Sequence, residues 1–200
     1  MKMIIGVMGS ASGEASENKE YIEKSREVGR WIARSDCILV NGACPGLPHA
    51  AVEGAKEEGG FVLGVSPAFS RHEHTKEYKS PIGVYDILLY TGMGFMERDI
   101  MNIRSSDGVI FLGGGIGTLN EFTIAYEEGK PIGVLLDSGG VSDYLQDIVR
   151  WCGREILDNM VFSKDPQELV RKLIYVIHEY PSPLHKDGRV KDVKFGKHRG

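Results

Sequence analysis

The 200-residue chain carries 24 Lys and Arg against 28 Asp and Glu, a net charge of −4, with 42% hydrophobic side chains. This is the composition of one globular domain with a well-buried core. The absence of a long basic run argues against nucleic acid as a main partner, and no apolar run reaches the length of a membrane span.

In chain order, residues 3–9 (MIIGVMG) read as a buried strand, too short and too soon interrupted to be a signal peptide. A Gly/Ser/Ala loop follows. Over 18–35, Tyr21, Ile22, Ser25, Val28, Trp31 and Ile32 form one stripe at helical spacing. Residues 37–42 predict a strand, 48–59 a helix with a glycine stop, and 61–67 a strand. The polar stretch 68–82 reads as an irregular, mobile loop. Then come a strand at 85–92, a helix at 95–107, a strand at 108–114, a helix at 118–130 and a strand at 131–137. Helices at 142–156 and 165–180 flank a short strand at 159–163. The three cysteines, Cys37, Cys44 and Cys152, have no paired spacing. Neither a disulfide framework nor a zinc knuckle is expected, and a reduced cytoplasm is the default location.

Alternating strands and helices with short connections predict a Rossmann-like three-layer α/β/α sandwich with a mainly parallel sheet. Residues 1–180 form a single nucleotide-binding domain in this reading, and the basic tail 181–200 a solvated, frayed terminus. Ligands of such sheets sit at the carboxyl ends of the strands, near the switch in strand order. Four glycine-bearing loops fall there: GVMGSASG, NGACPG, YTGMG and LGGGIGT. They make Gly9, Ser10, Gly42, Gly114, Gly115, Gly117 and Thr118 candidates for binding phosphate or nucleotide. Asn41 and His49 are further contact candidates.

A glycine turn that opens a helix offers unpaired N–H groups at the positive end of the helix dipole, which suits phosphate. GGGIGT at 113–118 fits, with Thr118 free to cap the helix or to reach phosphate. It lacks the Gly-Lys-Ser/Thr of a Walker loop, and Asn120 stands where a dinucleotide fingerprint needs its third glycine. Glu121 reads either as an acid at the ligand or as the far member of a T-x-x-E capping box. Arg98 reads as a phosphate clamp or Glu121 partner, or as a surface arginine paired with Asp99 or Glu97. His72 and His74 with Glu77 suggest metal only weakly, so no metal and no resident cofactor are expected. Met93, Met96 and Met101 read as core or interface packing. Phe95, Met96, Ile100 and Ile103 form an apolar helix face that needs burying.

The run GGGIGTLNE resembles the P-G-G-x-G-T-x-x-E signature of the LOG family, once labelled lysine decarboxylases. The resemblance runs over roughly residues 3–180 and includes NGACPGLPHAA and FMERD, the latter at the place of an M-H-x-R-K box. It implies the Rossmann-like fold, a homodimer, and phosphoribohydrolase activity that splits purine or cytokinin riboside 5′-monophosphates into base and ribose 5-phosphate. Gly114, Gly115, Gly117 and Thr118 would then hold the 5′-phosphate, with Arg98 and Glu121 as the catalytic pair. The sequence departs from the pattern at Gly113 in place of Pro, Met96 in place of His and Asp99 in place of Lys. This divergent branch also resembles molybdenum-cofactor carrier proteins, which makes a non-enzymatic carrier or sensor of a phosphorylated nucleotide or pterin the alternative reading. No lysine stands in a pyridoxal-phosphate motif, so lysine decarboxylation is not expected.

Overall fold

The computed structural model describes residues 1–180; the basic tail lies outside the described residues. Seven parallel strands run in the order β4-β3-β2-β1-β5-β6-β7. They are β1 (Ile4–Gly9), β2 (Ile38–Asn41), β3 (Val62–Ser66), β4 (Ile87–Tyr90), β5 (Gly108–Leu112), β6 (Ile132–Leu135) and β7 (Met160–Ser163). The helices are α1 (Glu14–Glu17), α2 (Lys19–Arg34), α3 (Leu47–Glu57), α4 (Arg71–Lys76), α5 (Gly94–Arg104), α6 (Ile116–Glu127), α7 (Leu145–Trp151) and α8 (Pro166–Glu179). The sheet is parallel throughout and covered on both faces, the three-layer α/β/α sandwich that the alternation predicts.

β5 illustrates how the core is divided. All five of its residues are buried. Ile110 and Leu112 join a cluster containing Val28 and Ile32 of α2, Leu47 and Val52 of α3, and Leu169 and Leu173 of α8. Val109 and Phe111 point the other way, toward Ile103 of α5, Phe122 of α6 and Leu145 and Val149 of α7. Successive strand side chains alternate faces, so a strand between two helical layers must be apolar at every position. Phe111 and Phe122 meet edge to face with ring centroids 5.6 Å apart.

The strand order reverses between β1 and β5. After β1 the chain builds outward through β2, β3 and β4, then crosses back to lay β5 on the other side of β1. Gly9 and Leu112, the last residues of these two strands, are register partners. The splayed connections beyond them leave a crevice at this edge.

Three local expectations change. The stretch 68–82 is not irregular throughout: it contains α4, whose N-cap Ser70 accepts from the Glu73 N–H at 3.2 Å while Glu73 accepts from the Phe69 N–H at 2.7 Å. The loop after β1 carries the short α1. The single helix expected over 142–156 is a 3₁₀ turn, Gly140–Tyr144, followed by α7.

Candidate functional site

A cavity of about 640 Å³ opens at the crevice between the ends of β1 and β5, a size typical of small-molecule sites. Its wall takes Gly9, Ser10 and Glu14 from the first connection and Gly42 and Cys44 from the second. Phe95, Met96, Arg98 and Asp99 come from α5, and Gly114, Gly115, Gly117, Thr118 and Glu121 from the glycine turn and α6. Every one of the nine candidate site residues therefore lines one cavity. Asn41 and His49 do not. The Asn41 amide is spent on the Pro48 carbonyl and the Ala43 N–H, and the His49 ring faces Tyr85 at a centroid distance of 6.4 Å.

The glycine turn is held from both sides. The Gly113 N–H donates to Ser138 Oγ at 2.9 Å and the Gly114 N–H to Ser10 Oγ at 2.5 Å. The carbonyls of these glycines accept from the backbone N–H groups of Ser142 and Val141 in the connection after β6. Gly140 makes that approach possible, because a Cβ on it would stand 2.3 Å from the Gly114 oxygen. Two of the turn's donors are thus already occupied. The N–H groups left over belong to the first turn of α6, at Ile116, Gly117 and Thr118, and have no partner among the described residues. These three residues line the cavity at the positive end of the helix, the arrangement that receives an anion.

α6 starts earlier than its sequence pattern predicts. Its N-cap is Gly115, without a side-chain cap hydrogen bond. Thr118 is therefore two residues inside the helix, and the T-x-x-E capping box is not formed. Glu121 stands one turn further along and is buried instead of solvated, at 7% exposure. Arg98 is likewise no surface arginine: it is 5% exposed and lies against the backbone at Gly42, where a Cβ would be 1.8 Å from its Nη1. The role of Gly42 is thus to admit the guanidinium. Arg98 is poorly paired for so buried a cation. Its Nη1 is 3.6 Å from Asp99 Oδ1, and its Nε has no partner among the described residues.

Asp99, with 5% exposure, completes the cluster. It accepts from the Asn120 amide at 3.1 Å and lines the same cavity as Glu121. Burial pushes the Glu121 carboxyl up to about 8; Asp99 adds to the rise through its charge, and Arg98 opposes it. Burial raises Asp99 as well, against the pull of Arg98 and Asn120. Cys44 follows Ala43, whose φ of 52° is unusual for a non-glycine residue. Its thiol is pushed up to about 11 by burial and stays protonated near neutrality.

Sequence reasoning named Asp99 only as a partner of Arg98 and a departure from the box pattern, and missed Ser138, Gly140 and Ser142. The signal for the last three was an SGGVS run ending a strand, the same logic that found the other loops. His74 is drawn inward, bonded to Ser66 Oγ at 2.8 Å and to the Pro81 carbonyl at 3.0 Å, where it pins α4 to the sheet. On α5, Ile103 is buried, but Phe95 and Met96 are more than half exposed. Among the described residues no helix is long and apolar enough to cross a membrane.

The fold and the glycine-lined crevice define a Rossmann-like protein with a small-molecule cavity at its topological switch point. The chain belongs to the SLOG cluster4 family, whose model matches residues 2–170. It is 33% identical over 155 residues to an uncharacterized protein of Archaeoglobus fulgidus, spanning 75% of this chain and 94% of that one. It is 32% identical over 134 residues to the cytokinin riboside 5′-monophosphate phosphoribohydrolase of Mycobacterium tuberculosis, spanning 64% of this chain and 68% of the relative. Among solved structures, the molybdenum cofactor binding protein of Rippkaea orientalis superposes with a TM-score of 0.71 at 28% identity, covering 88% of this chain and 98% of the other.

Proposed function

We propose that the cavity binds a purine nucleoside 5′-monophosphate and that the protein hydrolyses its N-glycosidic bond, as a phosphoribohydrolase. The observation that carries this reading is the buried trio Arg98, Asp99 and Glu121 beside the open N-terminus of α6. Burying three ionisable groups costs stability, and a site that only carries its ligand has no need of them. In this reading the 5′-phosphate sits on the first-turn N–H groups of α6 with Thr118, and Gly115 and Gly117 give it room. The ribose and its glycosidic bond then extend over Arg98 and Glu121. Cleavage builds positive charge on the ribose, which a carboxylate stabilises, while the base leaves with a proton. Arg98 orients the substrate and balances the acids; its proton is held too tightly to be donated. The phosphoribohydrolase named among the relatives supports the same chemistry.

The test is to incubate the protein with AMP, GMP and cytokinin riboside monophosphates and separate the products by chromatography. Free base and ribose 5-phosphate should appear, and Glu121→Gln should abolish both. Release no faster than in that variant overturns the reading.

The likeness to a molybdenum cofactor binding protein over nearly its whole length favours a second reading, a carrier of a phosphorylated pterin or nucleotide without turnover. It predicts a ligand retained through purification and visible by native mass spectrometry. In either case we assign the exposed apolar residues Phe69, Ile87, Leu89, Met93, Phe95 and Met96, on β4, α5 and their surroundings, to contact with a second copy of the chain. Light scattering should give twice the monomer mass of 22.1 kDa.

A further inference from the structure

Two carboxyls meet at the cavity floor. Asp99 and Glu121 are both more than nine-tenths buried and both line the cavity beside the Arg98 guanidinium. One guanidinium balances one buried carboxylate, so two buried carboxyls beside it favour holding a single proton between them. The surroundings sort where it sits. The Asn120 amide donates to Asp99 Oδ2 at 3.1 Å, and Arg98 Nη1 stands 3.6 Å from Asp99 Oδ1. Both contacts favour charge on Asp99. For Glu121, one turn inside α6, burial is the largest influence and disfavours the ionised form.

We propose that Asp99 and Glu121 share a single proton beside Arg98, and that Asp99, as the charged member, keeps Glu121 a neutral acid. The cluster is then balanced, one guanidinium against one carboxylate. The other titratable groups facing it do not disturb that balance. The Cys44 thiol, from the connection after β2, and the Tyr85 hydroxyl, before β4, are both raised by burial and neutral. Glu14 of α1 reaches the cavity wall at its exposed rim. The rise of the Glu121 carboxyl to about 8 agrees with a proton retained through neutral pH.

The use of this proton rests on the hydrolase reading. As the bond between C1′ and the base nitrogen breaks, its electron pair goes to the base, and Glu121 gives the base its proton. Asp99 and the now ionised Glu121 face the positive ribose. Water adds its oxygen to C1′ and returns a proton to the pair, which restores the starting state. Asp99 acts here as a positioning residue, through Glu121.

Infrared difference spectroscopy reads the shared proton without any turnover. At pH 7 the wild type should show a protonated-carboxyl band that Glu121→Gln removes. In Asp99→Asn the midpoint of that band should fall by at least about one pH unit, a tenfold loss of proton affinity. Asp99→Glu, which keeps the charge, should hold the wild-type midpoint. The alkaline limb of kcat/KM should move with the band. A Glu121 already ionised at pH 7, or a midpoint that Asp99→Asn leaves in place, overturns the proposal. The expected band in a protein that releases no base supports the shared proton and refutes the hydrolase reading. Base release with Glu121 ionised does the reverse.

Discussion

Gly117→Ala separates what the fold needs from what a ligand needs. Gly117 is the second residue of α6, its φ is not in the left-handed region, and a Cβ built on it meets no heavy atom within 4 Å. The protein itself therefore gives no reason for glycine there. In a helix, glycine costs roughly 0.5–1 kcal/mol relative to alanine through its extra backbone freedom. For a domain of this size that is a rise in Tm of about 1–4 °C on substitution. The Cα–Cβ bond of a helical residue tilts toward the helix N-terminus, so the new methyl points at the place an anion on the first-turn N–H groups would occupy. Binding of a nucleoside monophosphate should weaken by about tenfold or more, or roughly 1.4 kcal/mol. Thermal melts without ligand read the first effect, and calorimetric titration with AMP or GMP reads the second. The variant should thus be the more stable protein and the poorer binder. A variant that gains stability and binds like the wild type refutes the placement of phosphate on this helix end. A variant that loses stability refutes the claim that only a ligand requires glycine here.

Gly42→Ala should expel Arg98: its Nη1 must retreat about 1.6 Å, from 1.8 Å to an ordinary 3.4 Å contact. Overpacking of this kind costs about 1–3 kcal/mol, and displacement of a positioned group by more than 1 Å about 10²-fold in kcat/KM; melts and base-release kinetics check both. Thr118→Val should leave stability within about 0.5 kcal/mol, because Thr118 is not the cap of α6, yet weaken nucleotide binding several-fold; a stability loss near 1 kcal/mol in denaturant titrations would restore the capping role. Glu121 ionises near 4.5 when unfolded and near 8 in the folded protein. The native state thus binds more protons between those values, and its stability falls as pH rises through that window, by at most about 1.4 kcal/mol per unit. Glu121→Gln should flatten this decline, so unfolding free energies measured at pH 6 and 8 should differ less in the variant than in the wild type.

The sheet was legible because strands buried on both faces cannot hide. GVIFL in β5 and ILVN in β2 are apolar without alternation, as a parallel sheet between two helical layers demands. The stretch 68–82 was not legible as helix, since α4 is six residues long and almost wholly polar. Its one signal was Ser70 followed three residues later by Glu73, a cap signature whose expected apolar run never comes. The start of α6 was misplaced for a related reason. Glycine at 115 and 117 argues against helix, yet the turn is held in place by Ser10, Ser138 and Ser142 from other connections, and tertiary support of that kind leaves no local trace. Burial of Arg98 and Glu121 was equally out of reach, because helix periodicity shows which residues share a face but not what packs against it.

The two departures from the family's upstream box then separate by depth. Met96 is 59% exposed at the cavity mouth, so the change from His removes a polar group from the rim, outside the buried cluster. Asp99 is 5% exposed, bonded to Asn120 and in the same cavity wall as Glu121, so the change from Lys reverses a charge at the cavity floor. A lysine there would favour an ionised Glu121 and a cationic cluster; an aspartate favours a protonated Glu121 and a neutral one. The same fold and the same glycine turn thus carry a site with a different proton inventory. The Asp99→Lys variant tests this dependence directly. It should lower the Glu121 titration midpoint more than Asp99→Asn does, because it adds an attraction where the other only removes a repulsion. Midpoints in both variants equal to that of the wild type would mean that desolvation alone sets the Glu121 proton, and that Asp99 is a bystander.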